Sequence, residues 1–170
     1  MAEERRVAIV TGAASGIGRA MSLGLLDGGI DVAAVDKEAT WLDELRAAAN
    51  GRSFRGALQT IQADLTDSAS FDTIVSRVLG ATGRIDILVN NAGIGQDSVR
   101  ADRRRNPIRF WEITSEQWSR FVAVNATAPS AMIRVSVIPP GTSTLAVTPV
   151  PARSADMMAV AASAAALLAP

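Results

Sequence analysis

A doubly wound α/β domain on a parallel sheet is the fold this sequence predicts, and three observations predict it. Four short runs rich in Val, Ile and Leu recur along the first half of the chain, with segments of helical period between them. A glycine turn, TGAASGIG from Thr11 to Gly18, joins the first run to the first helical segment. An acid, Asp36, closes the second run.

The strands are expected at Val7 to Val10, Ile30 to Val35, Leu58 to Ala63 and Ile85 to Asn90. Runs with almost no internal charge are buried on both faces, which calls for helices on both sides of a parallel sheet. The first helix, about Ile17 to Leu26, places Ile17, Met21 and Leu25 at fourfold spacing and stops at Gly28 and Gly29. The second, about Thr40 to Ala49, turns Trp41, Leu42 and Leu45 inward and ends at Asn50 and Gly51. The third follows Asp67 as N-cap and carries Phe71, Ile74, Val75, Val78 and Leu79 on one face before Gly80 and Gly83. Residues 94–113 have no clean period and hold several Arg, a loop long enough to be functional. Solvated charges balanced by Asp97 and Asp102 are the expected role of its Arg cluster, with anion binding the alternative. A helix opens at Thr114, where Thr114 and Gln117 fit a capping box, and runs towards Pro129. A strand at Ile133 to Ile138, a Pro-rich stretch and an Ala-rich helix from about Ala155 to Ala169 complete the prediction.

Composition bounds the function. With 170 residues, 48% hydrophobic and 20% charged, the chain is expected to form one globular domain over residues 1–170. Seventeen basic and seventeen acidic residues leave no net charge, so neither nucleic acid nor an anionic membrane is an expected partner. The charged start MAEERR and the lack of a long apolar segment point to a cytoplasmic location. Without His or Cys, no metal site is expected.

A glycine turn between strand and helix brings backbone N–H groups and the positive end of the helix close to a pyrophosphate. Gly12, Gly16 and Gly18 suit that role, with Ser15 and Ile17 as further backbone donors. A carboxylate at the offset of Asp36 accepts ribose hydroxyls and repels a 2′-phosphate, so NAD is expected over NADP, with Lys37 as the counterweight.

These residues, with three later motifs, resemble the short-chain dehydrogenase/reductases. Thr11 to Gly18 match the family's cofactor turn, Asp64 and Leu65 its adenine-side pair, and Asn91, Ala92 and Gly93 its NNAG motif begun at Asn90. Asn125 in FVAVNATAP is similar to the helix Asn that holds a water in the family's proton relay. The resemblance implies a Rossmann-type doubly wound sheet with strand order 3-2-1-4, Ile133 to Ile138 lying beyond the fourth strand. It covers residues 5–130. Residues 131–170 form a shortened tail similar to the later PG segment, in which Pro140, Gly141 and Thr144 would border the nicotinamide.

The departure is as informative as the match. The family's catalytic Ser strand and YxxxK helix have no counterpart, the chain has no Tyr, and its one Lys is Lys37. The fold is therefore expected to be truncated, as if a block between about Thr127 and Ile133 were removed; an unrelated tail is the alternative. The implied activity is that of an NAD-dependent oxidoreductase of an alcohol or ketone, impaired by the missing acid–base group. A non-enzymatic dinucleotide-binding or interaction protein, or a defective remnant, are the alternatives. Uncovered sheet surface makes self-association an expectation.

Overall fold

In the computed structural model the described residues are 5–136 and the backbone of 145–147. Strands β1 (Val7–Thr11), β2 (Asp31–Asp36), β3 (Leu58–Gln62), β4 (Ile87–Val89) and β5 (Leu145–Val147) form one sheet in the order β3-β2-β1-β4-β5. Every pairing is parallel, with Val7 opposite Asp31, Ala8 opposite Ile87 and Val32 opposite Leu58. Helices α1 (Gly16–Asp27), α2 (Ala39–Asn50) and α3 (Ala69–Thr82) make the crossovers.

Strand alternation splits the core into two layers. Val7, Ile9, Ala33 and Val35 pack with Ile74 and Val78 of α3. Ala8, Val10, Val32 and Ala34 pack with Leu26 of α1 and Leu42 and Leu45 of α2. β3 departs from the expectation of burial on both faces: as the edge strand it buries Ile61 fully while Gln62 is exposed.

The inner face of α1 is Gly18, Ser22 and Leu26, one residue on from the expected Ile17, Met21 and Leu25, which are only partly buried. Small residues at 18 and 22 let the helix approach the sheet, which a stripe chosen for hydrophobicity does not reveal. Trp41, expected inward, is 45% exposed, while Leu42 and Leu45 are buried. The residue before α3 is Ser68; Asp67 still serves the helix start by accepting the Ala69 N–H at 3.0 Å. The helix passes through Gly80 and ends at Gly83.

Beyond residue 113 the path differs more. Helix α4 (Ser115–Val122) begins in the expected capping box, the Thr114 hydroxyl accepting the Gln117 N–H. It runs on through a π-helical turn, Ala123–Thr127, into α5 (Ala128–Ser136). Pro129 therefore does not end the helix. A proline has no N–H for the carbonyl one turn back, and the wider turn absorbs the defect, the Ala128 N–H reaching the Ala123 carbonyl. Residues 133–136 are helical rather than the start of a strand. Ala128, Met132 and Ser136 are buried at fourfold spacing, and that period prevails over the alternation in IRVSVI. The fifth strand is β5, set against β4 with Ile87 opposite Leu145. The site expected for the missing block thus lies within an unbroken helix. Pro140, Gly141, Thr144 and the Ala155–Ala169 helix lie outside the described residues.

One buried charge ties the first strand to the fourth. Asp86 is 7% exposed; its carboxylate accepts the Val7 N–H at 2.8 Å and the Arg84 guanidinium at 2.6–3.1 Å. Burial pushes its pKa up, but the Arg84 and Val7 hydrogen bonds and nearby Arg charge outweigh burial and hold it below the usual value. A depressed folded pKa stabilises above the unfolded value, and the benefit is lost as pH falls through the folded one. Asp86→Ala is therefore expected to cost about 1–3 kcal/mol at pH 7 in urea unfolding, with the gap to the parent narrowing below pH 4. A gap that stays constant with pH would show that the charge is not what Asp86 contributes.

Candidate functional site

The carboxyl ends of β1, β2 and β4 open on a cleft of about 420 Å³, where the strand order turns from β1 outwards to both sides. That is the crevice in which open α/β sheets bind ligands.

Its floor is the turn from β1 to α1. Gly12 and Gly16 both have positive φ, at 62° and 52°. Ser15 stands at the N-cap of α1, but its side chain makes no capping bond, and no acid lies in the first turn. The first N–H groups of the helix therefore keep their positive end open to the cleft. A Cβ at Gly16 would meet nothing within 4 Å, whereas at Gly12 it would lie 2.8 Å from the Ala92 Cα.

Gly18 and Thr11 work underneath. A Cβ at Gly18 would fall 2.0 Å from the Gly12 carbonyl oxygen and 2.4 Å from Asn91 Nδ2. Thr11 is 2% exposed; its hydroxyl donates to the Val89 carbonyl at 3.3 Å and accepts the N–H groups of Asn91 and Ala92, each at 3.1 Å. Asn91 completes the joint, its side-chain amide donating to the Thr11 and Gly12 carbonyls at 3.0 Å. Of the residues expected to bind cofactor, Thr11 and Gly18 thus shape the turn from below. Gly12, Ser15, Gly16, Ile17, Asp36, Asp64, Leu65, Asn91, Ala92 and Gly93 line the cleft itself.

Asp36, at the end of β2, is 8% exposed and accepts the Ala14 N–H at 3.0 Å and the Glu38 N–H at 3.2 Å. Two backbone amides fix its carboxylate and leave it further acceptor capacity. Asp64 takes both the N–H and the hydroxyl of Thr66 on one oxygen, each at 2.8 Å. Those two bonds, the amide first, hold its pKa below the usual carboxylate value; burial opposes them, and the charges of Lys37 and Arg120 assist.

Asn125 sits in the π-helical turn, and its side chain is committed to backbone. Its oxygen accepts the Ile94 N–H at 3.1 Å, and its amide donates to the carbonyls of Ile94 at 2.9 Å and Phe121 at 3.0 Å. It clamps the chain leaving β4 to the helix and does not itself line the cleft, unlike its neighbour Val124.

Trp41, Ile94, Arg120 and Val124 also line the cleft; the sequence pattern placed Trp41 in the core and marked none of the four for a site role. Arg120 and Val124 are one helical turn apart, a spacing any helix offers, so only the tertiary placement of α4 reveals them. Two arginines of the loop pair with acids inside it: Arg103 with Asp97 at 2.7 and 2.8 Å, and Arg100 with Glu112 at 3.4 Å. Solvated, balanced charge was the expected reading; the second acid is Glu112, where Asp102 was expected.

The short chain dehydrogenase family model matches residues 6–141, and the chain belongs to that family. It is 36% identical to D-threitol dehydrogenase of Mycolicibacterium smegmatis over 127 residues, covering 75% of this chain and 44% of that protein. It is also 36% identical over 122 residues to the 3-oxoacyl-[acyl-carrier-protein] reductase FabG of Thermotoga maritima, covering 72% and 45%. Among solved structures it resembles a Brucella melitensis 3-ketoacyl-(acyl-carrier-protein) reductase complexed with NADH, at TM-score 0.64 and 32% identity over 77% of this chain and 48% of that one. A metagenomic short-chain oxidoreductase in complex with NADP aligns at TM-score 0.67 and 28% identity, covering 76% and 54%. The chain spans less than half the length of these two curated relatives. Among the described residues, no helix is long and apolar enough to cross a membrane.

Proposed function

We propose that the cleft holds a nicotinamide dinucleotide, NAD in preference to NADP. The observation that carries this reading is the pairing, in one cleft, of the uncapped α1 N-terminus at Gly16 with the fixed carboxylate of Asp36. The backbone from Gly12 to Ile17 would take the pyrophosphate, Asp36 the ribose hydroxyls, Asp64 and Leu65 the adenine side, and Asn91 to Gly93 the nicotinamide half. Preference for NAD is supported by Ser15, an uncharged residue, standing before Gly16. Lys37 is the counterweight, and its charge, 3.5 Å from Glu38, is partly met there.

When bound, the dinucleotide supplies the hydride donor or acceptor, and an alcohol or ketone is the substrate class this reading assigns. The chain itself offers no Tyr or His to move the accompanying proton, and Lys37 lies on the Asp36 side of the cleft. Binding without efficient turnover is accordingly the form of the proposal. The exposed aromatics Phe110, Trp111, Trp118 and Phe121 support self-association, and a cytoplasmic setting belongs to the same reading.

Calorimetric titration tests the cofactor assignment. The parent is expected to bind NADH more tightly than NADPH, and Asp36→Ala to lose about 1.5–3 kcal/mol of NADH affinity. Equal affinity for the two cofactors in the parent would overturn the preference.

A further inference from the structure

The chain has three Trp residues, and Trp41 differs from the other two. Trp111 packs edge-on against Phe110, and Trp118 stacks on Phe121. Among the described residues Trp41 has no aromatic partner, yet it lines the cleft while 45% exposed. Half-exposed indole is costly surface that a planar ligand would cover.

Its place in the fold defines what such a ligand is. Trp41 lies in the first turns of α2, five residues beyond Asp36 and on the α1/α2 side of the sheet. Arg120 and Val124 reach the same cleft from the α4 side, and Asp64 joins its lining just past the end of β3. Lys37, Asp64 and Arg120 line this cleft together with Trp41. The pyrophosphate cradle at Gly16 is the other landmark, and beyond Asp36 the next unit of a dinucleotide is its base.

Building on the dinucleotide assignment above, we propose that Trp41 is the stacking wall for the purine base and sets much of the affinity for the adenosine half. Every base has a π-face, and an indole offers it a broad, rigid partner.

The test uses the full chain and ADP-ribose. In the Trp111→Phe, Trp118→Phe double variant, whose changes fall on exposed side chains, Trp41 is the sole indole. Its emission is expected to shift or quench on adding ADP-ribose, saturating with the calorimetric isotherm. Trp41→Ala is expected to weaken ADP-ribose and NADH about tenfold, and Trp41→Phe to retain most of the affinity. Nicotinamide mononucleotide should not perturb the Trp41 emission. Unchanged affinity in Trp41→Ala, or ADP-ribose binding with silent Trp41 emission, would overturn the stacking role and leave the dinucleotide assignment standing. No binding of NADH or ADP-ribose to the parent would overturn both. If Trp41→Ala does not fold, the emission of the double variant still decides.

Discussion

Followed by NADH absorbance against a panel of ketones and secondary alcohols, this chain is expected to turn over below about 0.1 s⁻¹ at neutral pH. Ordinary enzymes work near 10 s⁻¹, and positioned acid–base groups supply about 10²–10⁴ of the rate. No Tyr or His exists in these 170 residues to supply it. Asp64 and Asp86 are held by hydrogen bonds that lower their pKa values, so neither is poised as an acid near pH 7. NADH binding measured on the same sample separates a silent site from an empty one. Turnover at ordinary rates would show that another group carries the proton.

Gly18→Ala is the second large effect. The added Cβ would sit 2.0 Å from the Gly12 carbonyl oxygen, and backbone at that distance has no rotamer with which to yield. Either α1 withdraws from the turn or the bonds from Asn91 to Thr11 and Gly12 break. A loss above about 3 kcal/mol is expected, seen as a melting temperature lower by roughly 6–12 °C. Gly24→Ala on the same helix is the control. Its Cβ would meet nothing within 4 Å, so the helix interior gains about 0.5–1 kcal/mol and the melt should rise by a few degrees. Equal behaviour of the two variants would contradict the close contact at Gly18.

The half of the molecule that was legible in its sequence is the half whose signals are local. The strands followed from apolar runs of the right length, their order from the family resemblance, and the cradle from glycines within one turn. Thr114 and Gln117 announced a helix start because a capping box is complete within four residues. Two features resisted because they depend on distant partners. Pro129 reads as a terminator until the π-helical turn ahead of it is known. Ile133 to Ser136 read as a strand because the alternation is visible and the α3 surface that buries Met132 is not. At the cleft, Trp41 looked like core because a helix stripe gives the angle of a side chain about its axis and says nothing about where the packed layer stops.

The clamp made by Asn125 also has a mechanical consequence. With Ile94 held on both its N–H and its carbonyl, and Thr114 fixing the start of α4, the Arg-rich excursion is anchored at both ends. Its ion pairs, Arg103 with Asp97 and Arg100 with Glu112, close within the excursion. The excursion therefore swings from two fixed posts, one of them Ile94 in the cleft wall, so a change that loosened the Asn125 clamp would be felt at the cleft rim as well as in the loop.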